Sequence, residues 1–246
     1  MNFKKHIPNI FTLGNLLCGT LATIFAVSGY FEMTALFVVL GISLDFFDGF
    51  FARILKVSGE LGKQLDSLAD MVTSGVVPGI VLFVLLGNNQ QIPYEIYADF
   101  KFSMGLPLIG LLVTLAACYR LAKFNIDERQ TDSFIGLPTP AMSLFVISLP
   151  LVQMYTEIDF AKDLIANNYF LIGVTVFFSY LMNSELSLFS LKFKNYGIKE
   201  NLFKYILITL SIVLIFSFEY LSVPIIIMSY ILLSILNNFK NTDIQN

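Results

Sequence analysis

The chain has 246 residues, 56% of them hydrophobic and 13% charged, with a formal net charge of −3. Soluble domains carry roughly 25% charged residues, so the composition excludes a soluble globular protein and, lacking a basic excess, a nucleic-acid binder. Its two cysteines, with no CxxC spacing, exclude a disulfide framework or a thiolate zinc site.

The N-terminal stretch MNFKKHIPNIFTLGNLLCGTLATIFAV begins basic and runs on without a small-residue cleavage site, so it reads as a retained membrane helix rather than a signal peptide. A crossing needs about 20 apolar residues, which predicts eight spans near 9–29, 34–53, 64–87, 104–124, 138–155, 167–183, 202–217 and 222–238. Cys18 and Cys118 fall inside the first and fourth as small core residues. Pro138 and Pro140 start the fifth. Only Phe218-Glu219-Tyr220-Leu221 separates the last two.

With the N-terminus inside, thirteen basic residues lie in cytoplasmic segments: Lys4, Lys5, Arg53, Lys56, Lys63, Arg120, Lys123, Arg129, Lys192, Lys194, Lys199, Lys204 and Lys240. Only Lys101 and Lys162 lie outside. This positive-inside bias predicts an all-α polytopic helical bundle with both termini cytoplasmic. No internal repeat is visible, which argues against an inverted-repeat transporter.

From the end of the second span across a short turn into the third runs LDFFDGFFARILKVSGELGKQLDSLAD, carrying Asp45, Asp48, Asp66 and Asp70. One carboxylate at a membrane helix centre costs roughly 3 kcal/mol, and four unpaired ones on the order of 10 kcal/mol, so something cationic must compensate. Asp45 and Asp48 are i and i+3; Asp66 and Asp70 are i and i+4. Each pair shares a helix face, and a short turn with Gly59 and Gly62 makes the helices antiparallel neighbours. Asp45 lies about 12 Å below Arg53, so the pocket opens to the cytoplasm. Oxygen ligands without His or Cys select Mg²⁺, Mn²⁺ or Ca²⁺, and carboxylates around one or two such ions hold pyrophosphate substrates. Gly49 and Ala52 leave room beside the acids, and Arg53 offers a fork for phosphate. Asp70 is suited to act as a base. A lone acid is as readily a helix-pairing or ion-pathway residue; four, interleaved with Gly, Ala and Arg, favour a metal site.

The pattern D-x2-D-G-x2-A-R-x8-G-x3-D-x3-D, in Asp45, Asp48, Gly49, Ala52, Arg53, Gly62, Asp66 and Asp70, resembles at every fixed position the signature of the CDP-alcohol phosphatidyltransferase family. The resemblance implies metal binding by Asp45, Asp48 and Asp66, with Asp70 as general base and a further ligand, two Mg²⁺ or Mn²⁺ ions, and CDP binding at Gly49, Ala52, Arg53 and Gly62. PNIFTLGNLLCG (8–19), DSLADMVTSGVVP (66–78), RLAKFN (120–125), FIGLPTPA (134–141) and, more loosely, LMNSELSLFSLKF (181–193) are similar to stretches of the family's phosphatidylserine-forming branch. Lys123 departs from that branch's Arg, and Asn183 from its Val.

The similarity ends near residue 193 and the last two spans carry no motif, which divides the chain into a catalytic membrane domain at 1–193 and a C-terminal transmembrane hairpin and tail at 194–246. The implied reaction transfers a phosphatidyl group from CDP-diacylglycerol to L-serine at the cytoplasmic face of the cell membrane, in a homodimer implied by the resemblance alone. Thr12 and Asn15 either cap a helix contact or meet the nucleotide. By composition Arg120 and Lys123 are a positive-inside anchor; by resemblance they bind, with Asn125, the acceptor or lipid phosphate. Glycerol 3-phosphate or inositol phosphate as acceptor, an archaeal-type lipid donor and, more distantly, divalent-cation transport are the rival readings. The doubly anionic acceptors call for more basic residues than the spans provide.

Overall fold

The computed structural model describes residues 6–57, 59–89, 105–127, 133–191, 193, 195–198 and 200–245. Lys4, Lys5, Lys101, Arg129, Lys192, Lys194 and Lys199 of the charge pattern, and most of the 88–103 loop, lie outside these residues.

The first helix, α1 (His6–Val27), buries Pro8, Thr12, Asn15, Gly19, Ala22 and Ala26. That alternating spacing of three and four forms a single stripe, made of small and polar residues because α2 (Phe31–Leu55) lies close against it. The opposite face of α1 carries exposed Ile10, Leu13, Leu17 and Ile24, as befits a surface bathed in lipid. α2 ends where Lys56 turns left-handed (φ 52°) and returns its N–H to the carbonyls of Ala52 and Arg53.

The third membrane segment is one long rod with a flaw in it. α3 (Glu60–Asp70) passes into a π-helical turn at Met71–Val76 and then into α4 (Val77–Asn89). Val77 N–H bonds to Val72 O, a wider turn than the α-helical one. Pro78 has no N–H to bond back into this turn. Neighbouring helices satisfy two carbonyls of the turn: Thr114 Oγ1 donates to Gly75 O at 2.9 Å and Ser143 Oγ to Thr73 O at 3.5 Å. Membrane helices tolerate such breaks when neighbouring hydroxyls take up the freed backbone groups.

The fourth segment joins α5 (Gly105–Leu108) through a 3₁₀ turn to α6 (Leu112–Ile126). Next come β1 (Ser133–Ile135), α7 (Thr139–Tyr155), α8 (Asp159–Ala166), α9 (Asn168–Asn183), β2 (Ser187–Phe189), α10 (Leu202–Phe218) and α11 (Ser222–Gln245). Val77, Val81, Leu82 and Leu86 of α4 and Met142, Val146 and Val152 of α7 are fully buried in one apolar core. α7 begins at Pro138 and Thr139, as the prolines predict. Cys118 is exposed on α6, so it faces outward rather than into the core; Val113, Ala117, Arg120 and Leu121 form the buried face.

Five segments are long and apolar enough to cross a membrane among the described residues: 6–27, 31–55, 60–89, 105–126 and 202–239. A sixth forms if α8 and α9, which meet at 76°, are one span. α8 occupies residues expected to be loop. Asn167, whose side chain accepts the Tyr169 N–H at 2.8 Å, caps α9 and marks the corner. The chain at 202–239 doubles back at a 3₁₀ turn, Glu219–Leu221, where Glu219 has φ 44°, and α10 then packs along α11.

Two short strands complete the fold. β1 and β2 pair antiparallel, Ser133 opposite Phe189 and Ile135 opposite Ser187. They tie the chain after α6 to the chain after α9, at the membrane face where α2 ends and α3 begins.

Candidate active site

The aspartates converge as the helical spacing predicts, with one distinction. Carboxylate oxygens of Asp45, Asp48 and Asp66 all lie within 4.8 Å of one another. Asp70, a turn further along α3, stands outside this trio and is engaged by α1: Asn15 Nδ2 donates to its Oδ1 at 3.0 Å.

The trio suits a hard cation. Three carboxylates this close repel one another, and no described lysine or arginine forms an ion pair with them. Asp66 Oδ1 is buried with no hydrogen-bond partner among the described residues, a costly condition for a carboxylate oxygen. Asp48 is 7% exposed, and Thr12 Oγ1 donates to its Oδ2 at 2.5 Å. That bond turns one oxygen of Asp48 toward α1. An all-oxygen set suits Mg²⁺ or Mn²⁺.

Beside the trio is a cavity of about 230 Å³ between α1, the end of α2 and the start of α3. Thr12, Asp48, Gly49, Ala52, Gly62 and Asp66 line it, with Lys63 at its edge. A methyl group added at Gly49 would meet nothing within 4 Å, so Gly49 leaves open space where a ligand can approach the helix. Arg53 is elsewhere. Its side chain is exposed and its Nε donates to Gly49 O at 2.9 Å. A larger cavity of about 610 Å³ between α7, α8, α9 and α11 is lined by apolar residues and Ser229. It holds no acid, base or nucleophile suited to the chemistry.

Asn15 is fully buried and does not reach the 230 Å³ cavity. Its amide links the helices: Nδ2 holds Asp70, and Oδ1 accepts from Thr73 Oγ1 at 2.7 Å. Thr73 lies in the π turn directly after Asp70. The fit depends on missing side chains. A Cβ at Gly19 would fall 2.3 Å from Thr73 Oγ1, and one at Gly41 2.8 Å from Asn15 Oδ1. Neither Thr73 nor the π turn is recognised from sequence, although Pro78 four residues past Ser74 is the signal that a regular helix is interrupted there.

The cationic stretch of α6 divides. Arg120 is 6% exposed, its guanidinium 5.6 Å from the Phe124 ring centre, its Nε without a hydrogen-bond partner among the described residues. It lies within electrostatic reach of Asp70 and of Tyr230. Lys123 points away and pairs with Glu185 at 2.7 Å. Asn125 Nδ2 donates to Ser67 Oγ at 2.8 Å, and its carbonyl accepts from Lys63 Nζ. Asn125 thereby pins the end of α6 to α3. Asn183 donates to Ala116 O and Ser179 O, both at 3.1 Å, and bridges α9 to α6.

Residues 5–189 match the family model described as CDP-alcohol phosphatidyltransferase. The chain belongs to the CDP-alcohol phosphatidyltransferase family. This phosphatidyltransferase is 35% identical over 149 residues to a CDP-diacylglycerol–serine O-phosphatidyltransferase of Bacillus subtilis, covering 59% of this chain and 75% of the relative. It is 31% identical over 218 residues to a protein of the same name from Helicobacter pylori, covering 88% and 84%. An archaetidylserine synthase of Methanothermobacter thermautotrophicus is 28% identical over 174 residues, 68% and 69% of the two chains. The phosphatidyltransferase motif accounts for the aspartates, and the matched region stops at β2.

Proposed function

We propose that this membrane phosphatidyltransferase moves the phosphatidyl group of CDP-diacylglycerol to the hydroxyl of L-serine, giving phosphatidylserine and CMP. The observation that carries the chemistry is the meeting of Asp45, Asp48 and Asp66 beside a polar cavity at one end of the bundle. The serine acceptor is supported by the relatives of that name in two bacteria and by one buried arginine near Asp70 rather than a cluster of cations.

Asp45, Asp48 and Asp66 would hold Mg²⁺ or Mn²⁺, which when bound neutralises the pyrophosphate and the charge on departing CMP. Gly49, Ala52, Gly62 and Thr12 shape the cavity for the CDP moiety. Asp70, with one oxygen held by Asn15, accepts the proton of the serine hydroxyl. The serine oxygen attacks the phosphorus bearing diacylglycerol, and the bond from that phosphorus to the CMP oxygen breaks. Arg120 binds the serine carboxylate as a charge-assisted partner. Lys123 and Asn125 hold the end of α6 in place.

The same reading has eight spans, reached by counting α7 as a short one, α9 as one and α10 and α11 as two. It places both termini and the active site on the cytoplasmic side, as the positive-inside bias supports. Its catalytic unit is 1–193, followed by a hairpin at 194–246, and it forms a homodimer, as the family resemblance supports.

The test is CMP release from CDP-diacylglycerol by purified protein in detergent with Mg²⁺ or Mn²⁺, comparing L-serine, glycerol 3-phosphate and inositol phosphate. Serine-dependent release that EDTA abolishes is the expected result. Release with another acceptor moves the protein to a sister activity, and no release with any acceptor overturns the reading.

A further inference from the structure

The last helix lies beyond the residues that match the family and carries none of its motifs, yet it reaches the active-site end. Tyr230, Ser234 and Asn238 recur every fourth residue of α11 and form a polar stripe on an otherwise apolar span. Tyr230 is 8% exposed; its hydroxyl donates to Phe189 O at 3.0 Å, and its ring meets that of Phe189 edge-on at 5.2 Å. Asn238 Nδ2 donates to Ser187 O at 2.6 Å. Ser234, fully buried, returns its hydroxyl to Tyr230 O at 2.8 Å.

The targets are the alternate carbonyls of β2. In a strand, backbone groups of successive residues point to opposite sides. Leu186 O accepts from Gly136 N at 2.8 Å, so the even-numbered carbonyls face the β1 side, and those of Ser187 and Phe189 form the open edge. A sheet edge leaves its hydrogen-bonding groups unpaired, and α11 supplies side-chain donors where a third strand would supply N–H groups. The pair is anchored on its other side as well. Gly136 has φ 74°, and a Cβ there would lie 2.2 Å from Met182 O. β1 follows α6, the helix that carries Arg120.

We infer that the C-terminal span supports the acceptor site from outside, with Tyr230 as a positioning residue that fixes the β1–β2 pair and, through that pair, the end of the α6 helix that carries Arg120. Asn238 holds the same strand two turns further on. This rests on the assignment of Arg120 to the serine carboxylate. Tyr230 touches neither substrate nor the reacting atoms, so its loss acts on acceptor binding rather than on the chemical step.

The experiment is steady-state kinetics of CMP release with Tyr230→Phe, which keeps the ring and removes only the hydroxyl. The expected result is a serine KM raised about five- to tenfold, the equivalent of one lost hydrogen bond, with kcat and the CDP-diacylglycerol KM near wild type. In an Arg120→Gln background the same change should add nothing. Asn238→Ala, assayed alongside, should shift serine KM in the same direction and stands in if Tyr230→Phe does not accumulate. An unmoved serine KM, or an equal loss on both substrates with a lowered melting temperature, overturns the positioning role. Wild-type protein that releases no CMP with serine overturns the proposed function and this role with it, whereas wild-type turnover with unmoved variants overturns this role alone.

Discussion

Asn15 and Asp70, on different helices and 55 residues apart, share a 3.0 Å hydrogen bond, and the other end of the Asn15 amide is fixed by Thr73 at 2.7 Å. A base must present one oxygen in one direction, and this amide clamps the other. Replacing Asn15 with Leu keeps the volume and removes both bonds. The turnover number at saturating substrates should fall about 10- to 100-fold, the usual consequence of losing a partner that orients a functional carboxylate. Thr73→Val should produce a smaller loss in the same direction. An Asn15→Leu enzyme of normal turnover would show that Asp70 needs no such clamp.

The three clustered carboxylates make metal dependence a matter of stability as well as rate. Without a cation, Asp45, Asp48 and Asp66 repel. Melting in detergent should therefore rise on adding Mg²⁺ or Mn²⁺, by about 2.7 kcal/mol at a hundred times the dissociation constant. Asp66→Asn removes one charge. It should unfold no more easily than wild type in EDTA, lose the metal-induced gain, and turn over at least about 10²- to 10³-fold more slowly. Full activity in this variant would remove Asp66 from the metal site.

Two glycines of α2 should separate packing from catalysis. Gly41→Ala places a Cβ 2.8 Å from Asn15 Oδ1 and 2.9 Å from Thr73 Cγ2, an overpacking expected to cost about 1–3 kcal/mol. Gly49→Ala meets nothing within 4 Å and should melt no lower than wild type, since alanine favours the helix by about 1 kcal/mol. Its methyl group enters the cavity beside Asp48, so CDP-diacylglycerol KM should rise. Thermal unfolding and substrate titration of the two variants, side by side, give the comparison.

Arg120 and Lys123 lie three residues apart in one cationic stretch, but only Arg120 is buried near Asp70. Lys123→Ala breaks a partly exposed pair with Glu185 and should cost no more than about 1 kcal/mol of stability, with serine KM unchanged. Arg120→Gln should raise serine KM about tenfold or more, the loss of a charge-assisted contact. Equal effects of the two changes would argue for a general electrostatic role of the stretch.

The membrane class, the approximate course of the first four spans and the convergence of Asp45, Asp48 and Asp66 follow from composition, charge and spacing. These depend on local periodicity and on the cost of placing charge in lipid, both of which a linear chain displays. The sequence spacing groups Asp70 with the other three acids, but only the tertiary structure hands it to Asn15, because a hydrogen bond between α1 and α3 has no local signature. The π turn, the bend between α8 and α9, the divergence of Arg120 from Lys123 and the grip of Tyr230 on β2 were likewise decided by packing between distant segments. An apolar helix shows its period in sequence but does not show which of its faces meets a neighbour and which meets lipid, since both solvents favour the same side chains.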